Sequence, residues 1–358
     1  CQKSTALTPT DCSVLRTIIF NFSRISIVKM EGSMAIVVAE KIIEMVFIML
    51  CGIVLYKTGL IDYKTVPRLS NILLMLVSPL MIFQSYQMDF DGHLMWGLGL
   101  TLIAALTTFT VIIILTNILI RNTEYSKNGI SISSDYNLQK NRIPVEKIAL
   151  IYSNSGFIGL PLINGVIGQE GVFYMTAYLT VFNLLLWTHG VIVMGGAGDL
   201  KTICRNLCTP TIIAIFAGVI CFVTGIKIPA VIDNPIQYIA NMNTPLAMLI
   251  AGSNLAQSNI VSSLKSLRMY YLCALKLIIF PVIGMIILYI FNFQSFDFNV
   301  PFTVFIGMAC PAGASAIMFA ERYNKDSLYA TEIFVLTTIL SLITIPLLSI
   351  FAIKLFGL

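Results

Sequence analysis

Asn154–Leu162 reads NSGFIGLPL, and Ala309–Ile317 reads ACPAGASAI. Each interrupts an apolar stretch with Gly, Pro and small polar residues, where a simple anchor helix would carry Leu and Val. In a bilayer, backbone that leaves the helix is tolerated only where protein or a water-filled cavity satisfies its freed groups. Paired breaks of this kind, at matching places in two halves of a chain, point to a substrate site. That reading decides the fold class: an all-α polytopic membrane protein built around two broken helices.

The composition agrees. Over 358 residues the chain is 57% hydrophobic and only 11% charged, and its mean hydropathy of +0.89 lies far from soluble domains. The net charge of +5 does not imply nucleic acid, because the basic residues sit in short loops between apolar runs. Cys51, Cys221, Cys273 and Cys310 lie inside apolar runs, and Cys204 and Cys208 share a loop without His or acidic ligands. No disulfide framework or metal motif emerges, and no cofactor is expected. Residues 1–33 open on Cys1 and carry Arg16 and Arg24 within their apolar part, unlike a signal peptide. They read as a non-native extension or a mis-called start, with Met34 as the functional start.

Eight runs satisfy the roughly 20 apolar residues a span needs: 35–56, 69–88, 94–120, 171–195, 209–228, 269–292, 301–320 and 328–357. Two more, 145–168 and 235–257, are diluted by polar residues and by Pro161 and Pro245, giving an expectation of ten. Lys57, Lys64, Arg68, Arg121, Lys127, Lys140, Arg142, Lys147, Lys201, Arg205, Lys265, Arg268, Arg322 and Lys325 fall in one alternate set of connections, and only Lys227 and Lys354 in the other. The basic set faces the cytoplasm, so both ends of the ten-span body lie outside. The connector from Arg121 to Lys147 reads as flexible.

The two halves are similar. Span two holds SPLMIF around Pro79 and span seven TPLAML around Pro245, and spans four and nine break at Gly156–Pro161 and Pro311–Gly313. Residues 34–196 and 208–358, joined by a cytoplasmic linker at 197–207, are then two five-span repeats. An odd number of spans makes the repeat inverted and brings the broken helices together.

A broken helix exposes amides at the start of its second half and carbonyls at the end of its first. Two amide ends meeting would attract a small carboxylate without a buried Lys or Arg. Gly156, Gly159 and Gly313 let a ligand or the crossing helix approach the backbone. Pro161 and Pro311 keep the breaks open, and Asn154, Ser153, Ser155 and Ser315 offer neutral hydrogen bonds. Gly and Pro also serve plain packing in membrane helices, a reading that the pairing of the two breaks weakens. Lys276, in CALKLIIFP, is read equally as a snorkelling residue and as one that binds or counters an anion. His189 is either a packing residue or a group titrating near neutral pH. Glu332 is a candidate for proton coupling, and Glu40, Lys41 and Glu44 pair along one helix face.

At these residues the chain resembles the auxin efflux carrier family, whose bacterial members include malate and malonate permeases. The resemblance runs from Met34 to Leu358 and is carried by GLIDYKTVPRLSNILLMLVSPLMIF, by NSGFIGLPLINGVIGQEGVFYMTAYLTVFNLLLWTHG, by NTPLAMLIAGSNLA and by ACPAGASAIMFAERYNKDSLYATEIFVLTTILSLITIPLL. It implies a ten-span inverted repeat similar to bile-acid/sodium symporters, with the crossover at spans four and nine. Spans one, two, six and seven would be a scaffold, past which the rest move as an elevator. It also implies small organic anions as substrates, and crossover prolines at Pro161 and Pro311. The loop after span five is short, unlike that of long plant auxin carriers, so auxin itself is not carried over.

The expected protein is a secondary transporter of malate, malonate or another carboxylate in a bacterial plasma membrane. Its partners would be the anion, the lipid bilayer and a second copy through the scaffold helices, with no nucleic acid. The alternative is a membrane anion sensor that binds without transporting. A membrane enzyme would need converging acids, a Ser/His pair or a metal cluster, which the spans lack.

Overall fold

The computed structural model describes residues 36–120, 133–195, 209–257 and 266–357. The expectations for residues 1–33 and for the linker at 197–207 lie outside them. The described residues are helical, with one isolated antiparallel bridge between Ser153 and Ala312 in place of any strand.

The chain enters through α1 (36–57) and continues through α2 (Thr65–Ser85) and α3 (Gly92–Leu119). Next come α4 (Ser133–Ile151), α5 (Ser155–Val166), α6 (Gln169–Val193) and α7 (Pro210–Thr224). Then follow α8 (Ala230–Ala240), α9 (Asn243–Gln257) and α10 (Leu267–Ile290). The last three are α11 (Asn299–Ala309), α12 (Ser315–Arg322) and α13 (Ser327–Phe356). Among the described residues α2, α3, α6, α10 and α13 are each long and apolar enough to cross a membrane. The chain is therefore a polytopic membrane protein.

Two expectations need correction. The connector to Lys147 is not wholly flexible, because α4 begins at Ser133. Arg142 and Glu146, one turn apart, find partners on α13 and α10, and these anchor the helix beyond its apolar part. The run 235–257 is also not one helix: it kinks at Asn241–Met242, between α8 and α9. Pro245 supplies no N–H for the Asn241 carbonyl, which explains the bend.

Proline shapes three further helices in the same way. Of the four π-turns among the described residues, those at Leu73–Val77, Ser155–Gly159 and Leu275–Ile279 are each followed two residues later by a proline, Pro79, Pro161 and Pro281, and the one at Leu186–Gly190 is not. The missing N–H orphans the carbonyl four residues back, and a wider turn absorbs the mismatch.

Packing divides the helices into two groups. In one, α7 and α8 lie on the second half of α2, and α1 crosses α9 through two glycines. A Cβ on Gly52 would stand 2.4 Å from the Leu249 carbonyl oxygen, and one on Gly252 would stand 2.0 Å from that of Met49. Only Gly permits this approach. In the other, α3, α6, α10, α11 and α13 pack around α4, α5 and α12. Gly97 and Gly307 there open slots for the rings of Tyr174 and Tyr178. Between the groups, Met45, Met49 and Met248 face Ile158, Leu162 and Ile345.

Candidate functional site

The two broken segments cross. α4 stops at Ile151 and α5 starts at Ser155, while α11 stops at Ala309 and α12 starts at Ser315. In the gaps the backbones pair: the Asn154 amide donates to the Pro311 carbonyl at 2.8 Å, and the Gly313 amide donates to the Tyr152 carbonyl at 3.0 Å. Each break thus satisfies part of the other, which is how unwound backbone survives away from water.

The pairing demands a glycine. A Cβ at Gly313 would lie 2.8 Å from Ser315 Oγ, 3.0 Å from the Tyr152 carbonyl oxygen and 3.1 Å from that of Ser153. Gly159 similarly lets α5 approach Cys310, whose Sγ would be 3.2 Å from an added Cβ. Gly156 differs, because nothing lies within 4 Å of the position a Cβ would take. It borders open space.

Three polar groups at the crossing have no hydrogen-bond partner: Asn154 Nδ2, Ser155 Oγ and Ser315 Oγ. Asn154 and Ser155 are buried, so leaving them unpaired costs about 1–3 kcal/mol each. In addition, Ile158 is the first α5 amide to bond back, to the Asn154 carbonyl at 2.9 Å. The amides of Ser155, Gly156 and Phe157 form the open positive end of that helix. An oxygen-rich anion would satisfy both sets of donors.

Neighbouring helices hold the two gaps in place. Thr337 on α13 accepts from the Ala312 amide at 3.1 Å. Lys276 on α10 donates to the Leu150 carbonyl at 3.1 Å and to Ser153 Oγ at 2.5 Å, while Ser153 donates to the Met308 carbonyl at 3.3 Å. Lys276 is only 2% exposed. It does not snorkel; its ammonium turns inward to the crossing.

The other sequence candidates distribute differently. Pro311 lies in the second gap, whereas Pro161 lies within α5 and acts through the π-turn before it. The first gap therefore falls at Tyr152–Asn154 rather than at Gly156–Pro161. His189 Nδ1 stands 3.0 Å from the hydroxyl of Tyr152, which donates to the Leu185 carbonyl, so it braces the residue that opens the gap. Glu332 is half-buried on α13; five residues before Thr337, it lies about 140° around the helix from it, away from the crossing. Lys41 pairs with Glu44 at 2.9 Å on the exposed face of α1. Sequence reading missed Thr337 and Tyr152. Thr337 also donates to the Ile333 carbonyl of its own helix at 2.7 Å, as a Thr in an apolar helix ordinarily does, and nothing local marks its second role.

Elsewhere, a cavity of about 150 Å³ lies between α2, α5, α6 and α8, lined by Gln84, Ser85, Asn164, Gln169, Gln237 and Asn241. On α4, five residues before its end at Ile151, Glu146 is buried in a fork with Arg268, at 3.0 and 2.5 Å, and accepts from Tyr329 at 2.8 Å. Arg142 pairs with Asp326 at 2.8 Å beside it.

Crossed, mutually paired helix breaks in an apolar helical body have the form of a membrane transport protein. Residues 37–201 and 197–349 match the membrane transport protein family, and the chain belongs to it; this is the auxin efflux carrier family of the sequence resemblance. The chain is also 25% identical over 318 residues to an uncharacterized transporter of Methanothermobacter thermautotrophicus (strain Delta H), covering 87% of this chain and 97% of that one. The family and this relative are transporters.

Proposed function

We propose that the chain is a secondary carrier of a small carboxylate, of the size of malate, malonate or lactate, with the crossing of α4–α5 and α11–α12 as its substrate site. The observation that carries the reading is the set of unpartnered polar groups, Asn154 Nδ2, Ser155 Oγ and Ser315 Oγ, beside an open helix N-terminus and the free space at Gly156. The cavity lined by Gln84, Asn164 and Gln237 is its outer vestibule.

The same reading includes ten spans in a 5+5 inverted repeat, 34–196 and 208–358, in a bacterial plasma membrane. It is supported by the antiparallel bridge between the breaks and by the Asn243 side chain donating to Ser78 Oγ at 2.8 Å, which joins the two Ser/Thr-Pro-Leu motifs. The ion pairs agree with the loop sides: Arg142–Asp326 joins two loop regions read as cytoplasmic, and Lys227–Asp89 two read as external. The α1, α2, α7, α8 and α9 group is the scaffold, which pairs with a second copy, and the rest moves as an elevator. The methionines between the groups suit sliding, because their side chains repack readily.

Thermal unfolding of purified protein with a panel of carboxylates tests the site. One of malate, malonate or lactate should raise the melting temperature of wild type by mass action and leave Asn154→Ala unmoved. Equal stabilisation of both proteins would place the site elsewhere.

A further inference from the structure

A buried ammonium with no carboxylate beside it is expensive, whether in protein or in a membrane. Among the described residues none lies within ion-pair distance of Lys276. What surrounds it is the carbonyl end of a broken helix. The last carbonyls of α4 have no helical partners and carry the negative pole of its dipole. Ile148 keeps a helical bond from the Tyr152 amide, and the Tyr152 carbonyl, just past the helix end, accepts from the Gly313 amide. Between these two, Lys276 takes the Leu150 carbonyl at 3.1 Å together with Ser153 Oγ at 2.5 Å.

Carbonyl ends of broken helices are where carriers coordinate dissolved Na⁺ or H⁺. We infer that the Lys276 ammonium occupies this place as a tethered cation, so that the crossing keeps its shape without a dissolved sodium ion. The Leu150 carbonyl and Ser153 Oγ accept two of the three ammonium protons, and the lysine brings the charge covalently. The chain supplies the geometry too: the π-turn at Leu275–Ile279, ahead of Pro281, contains Lys276. The second carbonyl end, at α11, receives the Ser153 hydroxyl at Met308, and the Asn154 amide bonds Pro311 just beyond it. Lys276 and Ser153 thus each donate to one of the two carbonyl ends. The inference concerns the folded crossing itself and does not depend on which substrate is carried.

The test is thermal unfolding of purified protein in choline, sodium and propylammonium chloride at equal ionic strength. Wild type should melt at the same temperature in all three. Lys276→Ala should melt lower in choline and regain stability with sodium or propylammonium, which can enter the vacated place. Should the alanine variant not fold, Lys276→Arg and Lys276→Met decide, since they separate charge from side-chain length: arginine should be the more stable. A wild-type protein stabilised by sodium over choline would overturn the inference, as would a methionine variant as stable as the arginine one. None of these readings needs a substrate, so failure of carboxylate transport would refute the proposed function alone.

Discussion

Gly156 and Gly313 have the same side chain and opposite surroundings. At Gly313 an added methyl meets two carbonyl oxygens of the other break, so Gly313→Ala should force the paired segments apart and destabilise the protein by about 1–3 kcal/mol. At Gly156 it meets nothing, so Gly156→Ala should fold normally yet weaken carboxylate binding about tenfold, or 1.4 kcal/mol. Thermal unfolding with and without ligand separates the two. Asn154→Ala should behave like Gly156→Ala, because the amide nitrogen it removes has no protein partner to lose. The sequence marks all three residues as belonging to the site but does not sort them. Whether a glycine faces backbone or open space depends on a segment some 160 residues away.

Helices along the chain were legible where hydropathy alone decides. The ends and breaks were not, because they depend on partners. Polar residues 133–147 become helix through Arg142 and Glu146 reaching α13 and α10, which no local pattern announces. The π-turns were invisible for another reason: one extra residue in a turn barely disturbs an apolar run, although the prolines that follow three of them stand in plain view. Pro281→Ala restores the missing N–H, so the turn at Leu275–Ile279 should tighten. Removing the extra residue would rotate Lys276 by about 100° relative to the following helix, away from Ser153. The expected result is a folded protein whose transport falls about tenfold or more. Unchanged flux would mean that the π-turn is idle.

For the molecule as a whole, the composition and the two broken motifs were enough to announce a membrane transporter; the physical content of the site came only from bringing the breaks together. One polar cluster holds α4, α10 and α13 at the face read as cytoplasmic. Arg268→Ala would leave the Glu146 carboxylate buried beside Tyr329 without its cation, and should destabilise the fold by about 3 kcal/mol, measured by thermal unfolding. Tyr329→Phe removes one hydrogen bond to the same carboxylate and should cost about 1–2 kcal/mol. The most direct test of the whole account is flux of radiolabelled malate, malonate and lactate in proteoliposomes, with potential, proton and sodium gradients imposed separately. The account predicts saturable flux of at least one carboxylate, with no requirement for sodium and with loss in a folded Asn154→Ala/Pro161→Ala variant. Absence of flux for every carboxylate from folded protein, or full flux in that variant, would contradict it.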